Sequence, residues 1–246
     1  METALEKNPR NESNNARRIR AVRRMFTDIS PRYDLLNRIM SARQDVRWRR
    51  FAAGRVPADA SRVLDVATGT GDLAIDLAIS RPNLTVVGVD FTEPMLRRAE
   101  IKTAQRGLSQ RVRYTIGDAL RLPFPDDEFD AVTVAFGIRN MPDRRSALAE
   151  MMRVVKPGGK VITLEMTFPR SLKLRRFFIW YLNKVIPALG GVISGNPQAY
   201  RYLPDSIQDF LHPDDLTELC NSLGLKQVRA FPLMFGLTYV HEGLVP

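Results

Sequence analysis

The chain has 246 residues, 44% of them hydrophobic and 26% charged, enough for one sizeable domain with decorations. Its single cysteine, Cys220, excludes a disulfide framework and a cysteine metal cluster, and its two histidines, His212 and His241, are too far apart to suggest a metal site, so no metal is expected. The net charge of +10 is unevenly spread: residues 1–55 carry +8 and 166–203 carry +6, whereas 56–165 are neutral and 204–246 carry −4. Such basic segments attract nucleic acid or anionic lipid, or simply form a solvated surface.

Residues 1–15 are polar and are expected to be disordered. The first 25 residues lack an apolar core, so no signal peptide is expected and a reducing cytoplasm is the default. From Ala16 to Ile29 the spacing predicts a helix with Ile19, Val22, Met25, Phe26 and Ile29 on one face. Arg17, Arg18, Arg20, Arg23 and Arg24 crowd the remainder, a pattern suited to a membrane surface or a partner. Ser30 and Pro31 are expected to break it. Tyr33 to Met40 reads as a second helix, and Arg47 to Phe51 sits on a third. Residues 1–55 thus form a basic helical extension or cap, and 56–246 the main domain.

Arg62 to Val66 is a short strand rich in branched residues, followed by Ala67-Thr68-Gly69-Thr70-Gly71-Asp72 and a helix to Ile79. Gly69 and Gly71 permit backbone angles closed to other residues and a close approach of ligand to main chain. Gly69-x-Gly71-x-x-Ala74 matches the dinucleotide fingerprint, with Asp90 about 20 residues on. The choice lies between NAD and S-adenosylmethionine. A pyrophosphate wants a positive helix start, and Asp65 and Asp72 would repel it. S-adenosylmethionine has no phosphate and carries two cationic centres, so it is preferred. The alternative is a tight turn with no ligand.

Leu84 to Asp90 is a second buried strand whose terminal acid suits the ribose hydroxyls. Thr92 can cap the next helix, with Pro94 in its first turn, and that helix stops at Gly107. Arg111 to Ile116 is a third strand. Beyond it, Asp118 could receive the adenine amino group and Ala119 offers its backbone N–H, although Asp also favours turns. Phe129 to Phe136 is apolar enough for a central strand. It delivers Arg139 and Asn140 to the ligand end of the sheet. A helix from Asp143 to Val155 is expected to stop at Lys156-Pro157-Gly158-Gly159, before a fifth strand from Lys160 to Met166. Alternating strands and helices indicate a Rossmann-like, mostly parallel α/β sheet of seven strands with helices on both faces.

Residues 168–215 interrupt this rhythm as a lid insertion. Phe177 to Ile193 is apolar and aromatic, but it is too short and too interrupted to span a membrane. It reads as helical lid material over an apolar pocket, or as a surface that dips into lipid. Asp214 to Leu223 makes a helix. Lys226–Pro232 and Leu237–His241 are the last two strands, an antiparallel pair.

Four stretches together resemble one family: Tyr33-Asp34-Leu35-Leu36-Asn37-Arg38-Ile39-Met40-Ser41, the glycine turn, Phe136-Gly137-Ile138-Arg139-Asn140, and Tyr200-Arg201-Tyr202-Leu203-Pro204-Asp205-Ser206. The chain is similar to the ubiquinone/menaquinone biosynthesis C-methyltransferases, within the class I S-adenosylmethionine-dependent methyltransferases. The resemblance implies methylation of a ring carbon of a polyprenylated quinol, either demethylmenaquinol or the methoxy-benzoquinol precursor of ubiquinone. It implies that Thr68, Asp90, Asp118 and Ala119 contact the cofactor; Asp65, Gly69, Gly71 and Phe91 complete the candidate set. Arg139, a poor base, would stabilise a phenolate or orient water, with Asn140 beside it. Tyr33, Tyr200 and Tyr202 are candidates to contact the ring. The chain departs from the family pattern at Asp118 (often Asn), Ala135 (often Ser) and Arg43 (usually Gly nearby). A peripheral contact with an anionic membrane is expected, and a homodimer stays open. Nucleic acid is not expected: RNA methylation would need a basic-aromatic insertion, and this one is apolar. A different acceptor or a non-catalytic cofactor-binding module are the remaining alternatives.

Overall fold

A computed structural model describes residues 20–187 and 197–246. Strand β1 (Arg62–Val66) lies inside the sheet, with all but its first residue buried. It pairs in parallel with β2 (Thr85–Asp90) on one side and β4 (Phe129–Ala135) on the other. Strand β3 (Val112–Ile116) pairs in parallel with β2, and β5 (Val155–Met166) with β4. Strand β7 (Thr238–Leu244) runs antiparallel to both β5 and β6 (Lys226–Leu233). The order is β3-β2-β1-β4-β5-β7-β6, the expected mostly parallel seven-stranded sheet. The winding reverses between β1 and β4, and ligands of open α/β sheets sit beyond the strand ends at that point.

Helices cover both faces. Helix α1 (20–29) leads through a 3-10 turn (Ser30–Arg32) directly into α2 (Tyr33–Met40), and α3 (Gln44–Ala53) follows. Ser30 and Pro31 end α1 as expected: one 3-10 turn follows with Pro31 at its start, where no backbone N–H is needed, and Arg32 at φ −120° interrupts the helical backbone before α2 begins. On one face, Trp48 and Ala52 of α3 pack with Leu73 and Leu77 of α4 (Asp72–Ser80) against Val63, Val86 and Ile162. On the other, Leu148 and Met151 of α6 (Arg144–Arg153) pack with Leu64, Val66, Phe129 and Val132. The alternation of Val63 and Leu64 between clusters follows from the two-residue period of a strand. Helix α5 (Glu93–Gln105) starts at Thr92, but the Thr92 side chain makes no capping bond. The Thr92 N–H donates instead to Asp90.

β5 begins at Val155, five residues before the expected Lys160. The Lys156–Gly159 stretch pairs rather than turns, because the Gly158 N–H donates to Val245 and the Val245 N–H donates to Gly159, each at 2.9 Å. After β5 come α7 (Leu172–Trp180), a π turn (Tyr181–Val185), α8 (Pro197–Gln208) and α9 (Pro213–Ser222). Arg43 has left-handed backbone at φ 62°, a conformation that glycine adopts without strain.

An ion network docks α2 and α3 onto the sheet domain. Asp72 accepts from Arg38 at 2.9 Å, Arg49 at 3.0 Å and Lys102 at 2.6 Å. Lys102 also reaches Asp34 at 2.6 Å, and both Arg38 and Arg49 pair with buried Asp45. Burial alone would raise the Asp72 carboxyl, but Arg49, Lys102 and Arg38 hold it down at about 2. This corrects part of the charge argument about the glycine turn: Asp72 is neutralised by three cations and would not repel a pyrophosphate.

Candidate active site

Three acids stand at the carboxyl ends of parallel strands: Asp65 on β1, Asp90 on β2 and Glu165 on β5, all buried. Buried carboxylates persist only when hydrogen-bonded, and each here has its own donors. Asp90 accepts the Gly69 N–H at 2.9 Å through Oδ2 and the Thr92 N–H at 2.8 Å through Oδ1. Burial raises its carboxyl above the ordinary range, against the pull of those donors. Asp65 accepts from the Thr68 hydroxyl at 2.6 Å and the Thr133 hydroxyl at 2.8 Å.

A cavity of about 390 Å³ opens beyond β1, β2 and β4. Asp90, Phe91, Gly69, Asp118, Ala119, Ala135 and Asn140 line it, with Phe26 of α1 and Tyr33 of α2 closing the far side. Its size and its anchored carboxylate fit an adenosine. A small recess lined by Asp65, Thr68, Gly69, Thr70 and Asp72 adjoins the glycine turn. Gly71 lines neither space. It starts α4 at φ 79°, and a Cβ there would collide with the Tyr114 hydroxyl, so its role is to shape the turn. Asp118 is exposed, and its carboxylate accepts the Leu120 N–H at 2.9 Å; it closes a turn and borders the cavity at once.

A second cavity, of about 450 Å³, is walled largely by apolar side chains, among them Met40, Trp48, Phe178, Leu182, Ile186 and Leu237. Tyr33 and Phe136 line both cavities and the recess. Phe136 is fixed there by left-handed backbone, φ 57°, beside Ala67 at φ 52°. Strained residues of this kind cost about 1–3 kcal/mol each and persist where the surroundings enforce them. The two turns touch so closely that a Cβ on Gly137 would lie 2.7 Å from the Ala67 Cβ.

Arg139 borders the apolar cavity but is not isolated. Its Nη1 pairs with buried Glu165 and donates to the Phe136 carbonyl at 2.7 Å, while its backbone N–H donates to Glu165 at 3.2 Å. Its Nε is buried without a hydrogen-bond acceptor among the described residues. Glu165 was missed in the sequence, although an acid ending a buried strand is the same signal that singled out Asp90. Asn140 faces the cofactor-sized cavity and accepts from the Tyr202 hydroxyl at 2.9 Å. Tyr202 therefore supports Asn140 and lines neither cavity. The Tyr200 side chain lies outside the described residues. Tyr33, half-buried beside Asn37 and Arg139, has its phenol pushed up by desolvation, so it stays protonated.

Burial pushes the Asp65 carboxyl up to about 6, against the hydrogen bonds from Thr68 and Thr133. A raised pKa means that the folded chain holds a proton that the unfolded chain releases. The stability this confers is therefore present at low pH and fades as pH rises from about 4 to about 6. A cationic ligand in the recess has the opposite preference, because it favours the carboxylate. Affinity for S-adenosylmethionine is expected to tighten by up to about tenfold per pH unit below pH 6 and then level off. Calorimetric titration of the wild type and Asp65→Asn between pH 5 and 8 tests this; the same slope in both proteins would remove Asp65 from cofactor binding.

The ubiE/COQ5 methyltransferase family profile matches residues 11–245. A demethylmenaquinone methyltransferase of Thermus thermophilus is 48% identical over 220 residues, 89% of this chain and 99% of that protein. A ubiquinone/menaquinone biosynthesis C-methyltransferase UbiE of Geobacter sulfurreducens is 43% identical over 224 residues, 90% of this chain and 87% of that protein. A solved SAM-dependent methyltransferase of Thermotoga maritima shares the fold, with TM-score 0.62 at 19% identity over 91% of this chain and 99% of that one.

Proposed function

The chain belongs to the ubiE/COQ5 methyltransferase family, and from that premise we propose that it methylates a ring carbon of a polyprenylated quinol, with demethylmenaquinol as acceptor. It is an S-adenosylmethionine-dependent C-methyltransferase of quinone biosynthesis. The name carried by the Thermus relative supports demethylmenaquinol; 2-methoxy-6-polyprenyl-1,4-benzoquinol, the ubiquinone precursor, presents the same ring chemistry and is the second acceptor to test.

One observation carries the mechanism: a cavity of adenosine size and a larger apolar cavity meet at Tyr33 and Phe136. Bound S-adenosylmethionine would supply a methyl group on a sulfonium, already strongly electrophilic. The protein's task is then alignment and charge. Asp90 holds the ribose, while Thr68, Asp65 and Gly69 shape the recess for the amino-acid end. Asp118, Ala119 and Phe91 flank the base. Tyr33 and Phe136 fix the ring plane at the boundary, and such positioning supplies a large part of the acceleration. Arg139 is too basic to accept a proton at neutral pH. Its guanidinium stabilises the phenolate that makes the ring carbon nucleophilic, at a site where such a charge counts for more than in bulk water. The phenolic proton leaves to water, and after methyl transfer the ring carbon gives its own proton to water as the aromatic ring is restored. Asn140, steadied by Tyr202, orients the hydroxyl or a water beside it.

The isoprenoid tail of such a quinol is lipid-soluble, so the enzyme works peripherally at an anionic bilayer surface, drawn there by the basic segments 1–55 and 166–203. Among the described residues no helix is long and apolar enough to cross a membrane. The test supplies purified protein, methyl-labelled S-adenosylmethionine and each reduced acceptor in detergent. Label in the extracted lipid supports the reading, and the ratio between acceptors names the pathway. Cofactor binding without label in either lipid removes it.

A further inference from the structure

We propose that α7 and the turn between β6 and β7 form the face that sits on an anionic bilayer, and that the substrate tail enters the apolar cavity between them. The inference rests on the quinol reading and adds a location and a route. Phe235 in the turn is 83% exposed, and on α7 Leu172 is 74%, Phe177 61% and Trp180 54% exposed. These are large apolar side chains facing water, and a contiguous patch of them marks an interaction surface. Phe177 and Phe235, with Leu174 and Met234, also line the apolar cavity. Phe177 and Phe235 thus join the patch to the rim of the cavity, with Leu172 and Trp180 outside it.

Two further observations select a bilayer. The turn holds Met234 at φ 45° and Phe235 at φ 58°. Left-handed backbone costs about 1–3 kcal/mol per residue, and here it holds an aromatic ring out in water, where the ring gains no burial. The charge pattern is the other. Lys173, Arg175 and Arg176 are exposed on α7, and residues 166–203 contain no Asp or Glu. Arg175 stands over the Phe168 ring at 5.4 Å, beside the patch. Apolar side chains that dip into acyl chains, flanked by cations at headgroup level, make an interfacial helix. Helix α7 and the π turn that continues it carry Lys173, Arg175, Arg176 and Lys184, and no helix among the described residues is long and apolar enough to span, so α7 lies along the surface.

The two tryptophans make the test direct, since Trp48 is buried and Trp180 is exposed. Full-length protein is mixed with phosphatidylglycerol/phosphatidylcholine vesicles carrying brominated acyl chains. Emission is expected to be quenched in the wild type and unquenched in Trp180→Phe. Leu172→Glu, Trp180→Glu and Phe235→Glu are each expected to weaken vesicle co-sedimentation by at least about tenfold. In Leu172→Glu and Trp180→Glu, turnover of a tail-less quinol in solution is expected to stay within about twofold of wild type, because neither side chain lines the cavity. Vesicle binding without quenching of Trp180 would overturn the proposal, as would no vesicle binding at all. So would a solution dimer that Trp180→Glu dissociates, which would assign the face to a second copy of the chain. If neither the tail-less nor the polyprenylated quinol is methylated by the wild type while Trp180 is quenched, the docking face stands and the acceptor is wrong.

Discussion

Asp90→Ala is expected to weaken S-adenosylmethionine binding by at least about a hundredfold, with little turnover left. Both carboxylate oxygens are pinned by backbone donors, at 2.9 Å from Gly69 and 2.8 Å from Thr92. Their remaining lone pairs face the cavity at a fixed angle. Hydrogen bonds to an ionised carboxylate contribute about 1.5–3 kcal/mol each. Losing two of them to ribose hydroxyls is a loss of about two to four orders of magnitude in affinity. The substitution also strips the acceptor from the Gly69 N–H in the glycine turn and from the Thr92 N–H that starts α5, so both turns loosen. Equilibrium unfolding without cofactor separates the two effects. A variant that binds with wild-type affinity would remove Asp90 from the ribose. Asp118→Ala is the contrasting case: its exposed carboxylate closes a local turn through Leu120, and a much smaller loss is expected.

The second large effect concerns the pair Arg139 and Glu165. Arg139→Ala is expected to lower turnover by about a hundredfold or more, as removal of an anion-stabilising donor does elsewhere, while cofactor affinity stays within about threefold because Arg139 lines the other cavity. The pair is buried, and truncating one partner leaves the other charged in a dry site, which costs about 3–5 kcal/mol. Loss of activity in the single variant could thus come from loss of fold. The double variant Arg139→Met/Glu165→Gln distinguishes them, because it removes both charges and keeps the volume. It is expected to regain most of the stability and none of the turnover. If both return together, Arg139 is a structural member of the pair and the phenolate needs another stabiliser. Glu165→Gln alone keeps the shape and the guanidinium; turnover is expected to fall less than in Arg139→Ala, with an altered pH profile, as befits a residue that positions Arg139.

The lining of the adenosine-sized cavity was legible in the chain because it is built locally. The glycine turn, Asp65 and Asp90 lie on consecutive strands and their first loop, and alternation of apolar runs with helical spacing is enough to place them at one edge of a parallel sheet. The substrate half was not. Tyr33 was singled out, but its place at the wall common to both cavities depends on how α2 docks, and that docking runs through Asp72, Arg38, Arg49 and Lys102. The same network takes Asp72 out of the charge argument about the turn and leaves Asp65 in it. Repulsion was inferred from acids read in isolation, whereas Asp72 is surrounded by cations from three other helices.

What the sequence alone determined is the succession of strands and helices, the positions of the acids at strand ends, and the unequal distribution of charge. Those features follow from periods of two and of 3.6 residues and from turn chemistry, which act over a few neighbours. What only the tertiary structure decided is partnership. Glu165 meets Arg139 because β5 lies beside β4; Phe136 meets Ala67 because β4 lies beside β1; and Phe235 meets Phe177 at the rim of one cavity although a whole helical insertion separates them. Strand order and helix docking are set by the packing of the entire core, and no local pattern carries that information.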